Sequence, residues 1–149
     1  MNWKETIYHT FLEKLNQQID SFQFQLDELS ESVLNETKST AGDKHETALS
    51  MLQLEQSQVA KHLYDAIDNK TIYAQIEYQQ VHQIICSGSL VKTSKGYFFI
   101  SVALPKIVID GKTIIGISTK SPLGEKLMGK KIKDTVDVNG ITHLIEEIL

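Results

Sequence analysis

Residues 116–138 read G-I-S-T-K-S-P-L-G-E-K-L-M-G-K-K-I-K-D-T-V-D-V and spell a strand, a sharp turn, a helix of one to two turns and a second strand. Ser121 suits an N-cap, and Pro122 suits the first helical position, where a missing N–H costs nothing. Leu123 and Leu127 are four apart, so they share the buried side of that turn. Gly129 can take the left-handed conformation that ends it.

The period on either side of this stretch is that of strands. Ile84 and Ile85, then Leu90 and Val91, flank Gly88. Tyr97-Phe98-Phe99-Ile100-Ser101-Val102 is aromatic and β-branched and is entered by the turn Ser94-Lys95-Gly96. Asp110-Gly111 lies between Ile107-Val108-Ile109 and Thr113-Ile114-Ile115. Asn139-Gly140 lies between Val136-Asp137-Val138 and Ile141–Ile145. Both are strong hairpin signals. The expectation is a small antiparallel sheet with one short helix, with residues 71–80 as a connector or lead-in strand.

Upstream the period changes. Ile7, Phe11, Leu15, Ile19, Phe22, Leu26, Leu29 and Val33 step by three and four, the seam of a long amphipathic helix. Ala48, Leu52, Val59, Leu63 and Ala66 form a second series, interrupted by Glu55 and Gln56. Residues 35–46 between them lose the pattern, and Gly42 suits a turn. Two such helices on a short connection pack antiparallel, with arms roughly 45 Å long at 1.5 Å per residue. The fold class is therefore α+β: a coiled-coil hairpin over residues 1–70, then a β-sheet domain over 75–149.

The 149 residues carry a net charge of −4, unevenly spread. Residues 1–70 hold six lysines and twelve acids, whereas residues 71–149 hold nine lysines and seven acids. None of the basic residues is arginine, which argues against a grip on duplex DNA phosphates. No apolar run reaches the roughly 18 residues of a membrane span, and M-N-W-K-E-T lacks the apolar core of a signal peptide. One cysteine, Cys86, excludes an internal disulfide framework and suits a reducing cytoplasm.

The 116–130 stretch resembles the C-terminal domain of the Gre transcript-cleavage factors, which bind bacterial RNA polymerase. The matching residues are Ile117, Ser118, Ser121, Pro122, Leu123, Leu127, Met128, Gly129 and Lys130. Gly42-Asp43-Lys44-His45-Glu46 matches the family's G-D-x-x-E signature, and Ala48, Glu55 and Gln56 fall in register with its second helix. The resemblance spans nearly the whole chain and implies an FKBP-like second domain. It also implies that Asp43 and Glu46 enter the polymerase secondary channel and help hold a catalytic magnesium ion. Ser121, Pro122 and Leu123 then belong to the contact loop of the dock. No tightly bound cofactor is implied: magnesium enters only within the polymerase complex, and nascent RNA is met only indirectly. The chain would be no enzyme itself, at most stimulating the polymerase's own nuclease. Where many members carry a further acid and an aromatic after Glu46, this chain has Leu49 and Ser50. Its finger lysines are scattered, so a regulator that does not promote cleavage fits the resemblance as well.

The residues alone leave alternatives. Asp43 and Glu46, three apart at a helix start, suit magnesium's hard oxygen ligation, though on the motif alone a capping-box spacing is the commoner reading. A coiled-coil interaction or chaperone-like module, with these acids as caps only, is the second reading. Cys86 near His82 invites a thiol-nucleophile reading; a strand would place both on one face with no third orienting group, and a small buried Cys is the commoner reading of the same residues. The five histidines show no H-x-x-x-H or Cys-paired zinc spacing. Lys120, Lys126, Lys130, Lys131 and Lys133 suit either an acidic partner or a solvated face.

Overall fold

The computed structural model describes residues 2–38 and 46–149, together with the helical backbone of 42–45. Two helices come first, α1 over Trp3–Thr37 and α2 over Gly42–Ala74. Strands β1 Leu90–Thr93, β2 Gly96–Ser101, β3 Leu104–Ile109 and β4 Lys112–Ser118 follow, then α3 Pro122–Leu127, β5 Thr135–Val138 and β6 Ile141–Ile148. The chain divides into two compact units, one of residues 15–68 and one of residues 1–14 with 69–149.

In the unit of residues 15–68, every expected seam position of α1 is buried or half-buried: Leu15, Ile19, Phe22, Leu26, Leu29 and Val33. Phe22 stacks on His62 with centroids 5.5 Å apart, and Gln56 Nε2 donates to Ser30 Oγ at 3.0 Å. These pairings run in opposite chain directions, so the helices are antiparallel. Gln56 does not break the seam; it sits in it. A polar pair inside an apolar seam fixes register at some cost in stability.

The second unit is built on a six-stranded sheet in the order β3-β4-β2-β1-β6-β5. All its pairs are antiparallel except β2 with β4, which run parallel with Tyr97 opposite Ile114. The sheet is thus mostly antiparallel, as expected, with one parallel pair that the sequence did not signal. That pair arises because the chain leaves β2, crosses the end of β4 and returns as the edge strand β3. Gly116 permits the crossing: a Cβ there would lie 2.8 Å from Leu104 Cβ and 3.1 Å from the Val102 carbonyl oxygen. Pro105 is tolerated in β3 because this is an edge strand, and the register shifts between Leu104 and Ile107. Asp110-Gly111 and Asn139-Gly140 are two-residue hairpin turns with positive φ at both positions, as a type I′ turn requires.

The strands' alternation gives the sheet two covered faces. On one, Phe99 stacks with Phe11 (6.1 Å) and meets Tyr73 edge-on, while Trp3 meets Tyr97 edge-on at 5.0 Å. On the other, Val91, Ile100, Val136, Ile145 and Ile148 form a cluster with Leu127 of α3, and Ile117 and Leu123 pack against it. Residues 71–74 belong to α2 rather than to a connector or strand, since fully buried Tyr73 donates its hydroxyl to the Tyr8 carbonyl at 2.7 Å. Ile84 and Ile85 form no strand. Ile85 instead exchanges backbone hydrogen bonds with Gly129 and Lys130 beyond α3 and enters the core cluster.

Candidate functional site: the hairpin tip and the capped turn

The first half of α2 carries the expected tip. Glu46 lies in its opening turn and is exposed. Asp43, with Lys44 and His45, lies outside the described residues as regards its side chain. Magnesium prefers six oxygen ligands and keeps several of them as water. Among the described residues no three His, Cys, Asp or Glu groups converge. Glu46 alone offers too few oxygens for a cage, so the described residues do not fit a complete magnesium site.

Below the tip, Met51 and Leu54 are 67 % and 62 % exposed. They border two shallow cavities of about 360 and 620 Å³ along α2, the first reaching Glu46 and the second reaching Glu55 and Gln58. Met51 borders the second apolar series of the sequence, whereas Leu54 falls outside it and gave no signal.

The capped turn forms as its residues dictate. Ser121 is extended (φ −70°, ψ 158°), and its Oγ accepts from the Gly124 N–H at 3.0 Å and donates to the Ser118 carbonyl at 2.7 Å. Pro122 opens α3 and is exposed, whereas Ser121 and Leu123 are half-buried. Leu123 leans into the chain's own core, which leaves Pro122 as the side chain of this trio most open to a partner. Met128 closes the helix by donating its N–H to the Gly124 carbonyl, and Gly129 follows with φ 80°. A cavity of about 330 Å³ lies beside α3, lined by Glu125, Lys126, Met128, Lys130, Thr135 and Val136. Within the lysine cluster, Lys126 donates to the Asp137 carbonyl, and the Lys131 N–H donates to Asp134 Oδ2 at 2.8 Å.

Cys86 and His82 sit on an irregular segment, not on a strand, and a third group does join them. Fully buried Ser89 places its Oγ 2.9 Å from His82 Nδ1 and 3.7 Å from Cys86 Sγ, and accepts the Cys86 N–H at 3.0 Å. His82 Nδ1 pairs with the serine hydroxyl rather than with the thiol, so no thiol–imidazole pair is assembled here. Burial, then the positive charge of Lys4, pushes His82 below its ordinary value. This arrangement ties the segment together; Ser89 carried no sequence signal.

The sheet-bearing unit also holds an aromatic stack that no sequence motif marks. Tyr8 stacks between Tyr78 (3.9 Å) and Tyr73 (4.7 Å), and burial raises both Tyr8 and Tyr73 above the usual phenol range.

No protein-family model matches this sequence, and no curated protein matches it. Among solved structures, the chain is similar to one described as the structure of the transcription factor Gfh1. The identity is 20 %, the match covers 93 % of this chain and 92 % of that one, and the TM-score is 0.38.

Proposed function

We propose that this chain is a Gre-like regulator of RNA polymerase, docking through its sheet-bearing unit and offering its hairpin tip to the enzyme's secondary channel. One observation supports the reading: one motif of the resemblance lies at the start of a helix after the helix–helix connection, and the other forms an exposed, capped turn. The G-D-K-H-E run opens α2 directly after the helix–helix connection, with Glu46 exposed. The S-P-L run forms a serine-capped turn that leaves Pro122 exposed. A tip with too few ligands of its own is the kind of group that completes a metal site whose other ligands belong to a partner. In this role Asp43 and Glu46 lend carboxylate oxygens to a magnesium ion of the polymerase, and the chain alone cuts no RNA.

A pull-down with the cognate polymerase at micromolar concentration tests the dock. Wild type binds, and Pro122→Asp, which changes an exposed side chain without opening the core, weakens binding at least tenfold, about 1.4 kcal/mol. Absence of binding by folded wild-type protein removes the proposal.

The exposed Met51 and Leu54 strip favours one competing reading, a helical interaction module whose acids are only caps. In that case Met51→Asp with Leu54→Asp abolishes partner binding, while the tip acids can be neutralised without loss.

A further inference from the structure

Lys4 lies in the first turn of α1, where a lysine ordinarily extends into water. Here it is 8 % exposed, the only buried lysine among the described residues. Its Nζ donates to the Gln80 carbonyl at 2.7 Å, which fixes the end of an otherwise flexible side chain. The residue lines a cavity of about 250 Å³ whose other walls include Trp3, Tyr78, Val81 and Leu149. That space falls below the roughly 300–1,000 Å³ of ordinary ligand pockets. It suits a group of a few carbon atoms, and its walls are mainly apolar.

We propose that Lys4 is a modification site, the lysine of this chain that small acyl phosphates and thioesters acylate first. The neutral amine attacks the acyl carbon and a C–N bond forms. The bond to phosphate or thiolate breaks and its electron pair leaves with that group, while the nitrogen's surplus proton passes to solvent. The small acyl chain occupies the cavity, and the amide product keeps an N–H for the Gln80 carbonyl. Product formation thus removes a buried charge without orphaning the acceptor.

The surroundings favour the neutral amine that this step consumes. Burial lowers Lys4 to about 8, against the partial opposition of Cys86 and Glu77, which attract its charge. His82 also faces this charge and is held towards its neutral form. At pH 7.5 about a quarter of such an amine is neutral, against about one part in a thousand for an ordinary lysine. The lower basicity makes each neutral amine a weaker nucleophile, yet the larger neutral fraction outweighs that loss. This site stands independently of any role at the polymerase.

Limited treatment of the full chain with acetyl phosphate at pH 7.5, read lysine by lysine by peptide mass spectrometry, tests the proposal. Fragment spectra separate Lys4 Nζ from the chain's α-amino group. Lys4 is expected to react about tenfold faster than the median lysine, and its rate to level off just above pH 8 while the others climb towards pH 10. The advantage should vanish in denaturant. Val81→Trp, at a position 74 % exposed, fills the cavity mouth and should slow Lys4 alone. A folded-state rate less than about fivefold above the median, or an advantage that persists in denaturant, overturns the proposal.

Discussion

In the sheet-bearing unit Ile7, Phe11, Tyr73 and Phe99 are wholly shielded from water. Along the finger Phe22, Leu26, Leu29 and Val33 are only half-buried, and Phe24 stands 64 % exposed. The difference follows from layering. A sheet covered on both faces buries each inward side chain completely, whereas two paired helices shield only the stripe between them. The finger therefore leans on helix propensity and one seam, and its surface is free to carry acids. The sheet-bearing unit exposes groups both on its strands, as at Val108 and Leu144, and at turns such as Ser121-Pro122.

The contrast can be broken by truncating one residue in each unit. Phe99→Ala removes a ring packed between Phe11 and Tyr73 and should cost about 3–5 kcal/mol, whereas Leu29→Ala in the finger should cost about 1–2 kcal/mol. Equal losses in denaturant titrations would erase the distinction. Gly116→Ala tests the crossing that makes the sheet mixed. The added methyl meets Leu104 and the Val102 carbonyl and should cost about 1–3 kcal/mol.

Acid and base extend the contrast, because among the described residues the perturbed groups Lys4, Tyr8, Tyr73, His82 and His143 lie in the sheet-bearing unit. Lys4 sits at about 8 in the fold and 10.5 when unperturbed. Between those values the unfolded chain binds the extra proton, so stability rises with pH, by about 1–2 kcal/mol up to pH 10. Above pH 10 the raised Tyr8 and Tyr73 reverse the trend, because the unfolded tyrosines lose their protons first. Lys4→Met should flatten the rise in a stability-versus-pH series. On the acid side, burial holds His143 below its ordinary value, as it does His82. Stability should fall as pH drops below about 6.5, where the unfolded imidazoles take up protons first.

The smallest effect belongs to the finger. Gln56→Leu replaces the polar seam residue and leaves Ser30 still donating to the Leu26 carbonyl at 2.8 Å. It should raise stability by about 0.5–1 kcal/mol while loosening register, visible as broadened spectra from the finger alone.

What the sequence revealed follows the same physics. The α1 seam was legible because a 3.6-residue period states which face is buried, and Asp110-Gly111 and Asn139-Gly140 because few other residues accept two successive positive φ values. Strand partners were not. A period of two marks a strand's faces but not its neighbour or direction, so the parallel β2–β4 pair could not be read. Residues 71–74 carry Thr71, Ile72 and Tyr73, whose propensities suit a strand, yet Tyr73's burial and its bond to Tyr8 hold them in α2. Lys4 reads as a solvated helix residue, and only the fold puts it beside a cavity. Of the candidate site's residues, Ser121 caps as expected, Leu123 turns partly inward, and Asp43's side chain lies outside the described residues.

The proposed function divides labour between the units, with docking in one and the tip's chemistry in the other. It is tested most directly by transcription on backtracked complexes of the cognate polymerase with magnesium. Wild type, Asp43→Asn with Glu46→Gln, and Pro122→Asp are compared for binding, RNA cleavage and elongation rate. The amides keep size and some capping ability but lose the charge that magnesium requires. Wild type should bind and alter cleavage or elongation, the tip variant should bind without effect, and Pro122→Asp should lose both. Wild-type protein that binds the polymerase yet changes neither cleavage nor elongation, or a tip variant that acts like wild type, would contradict it.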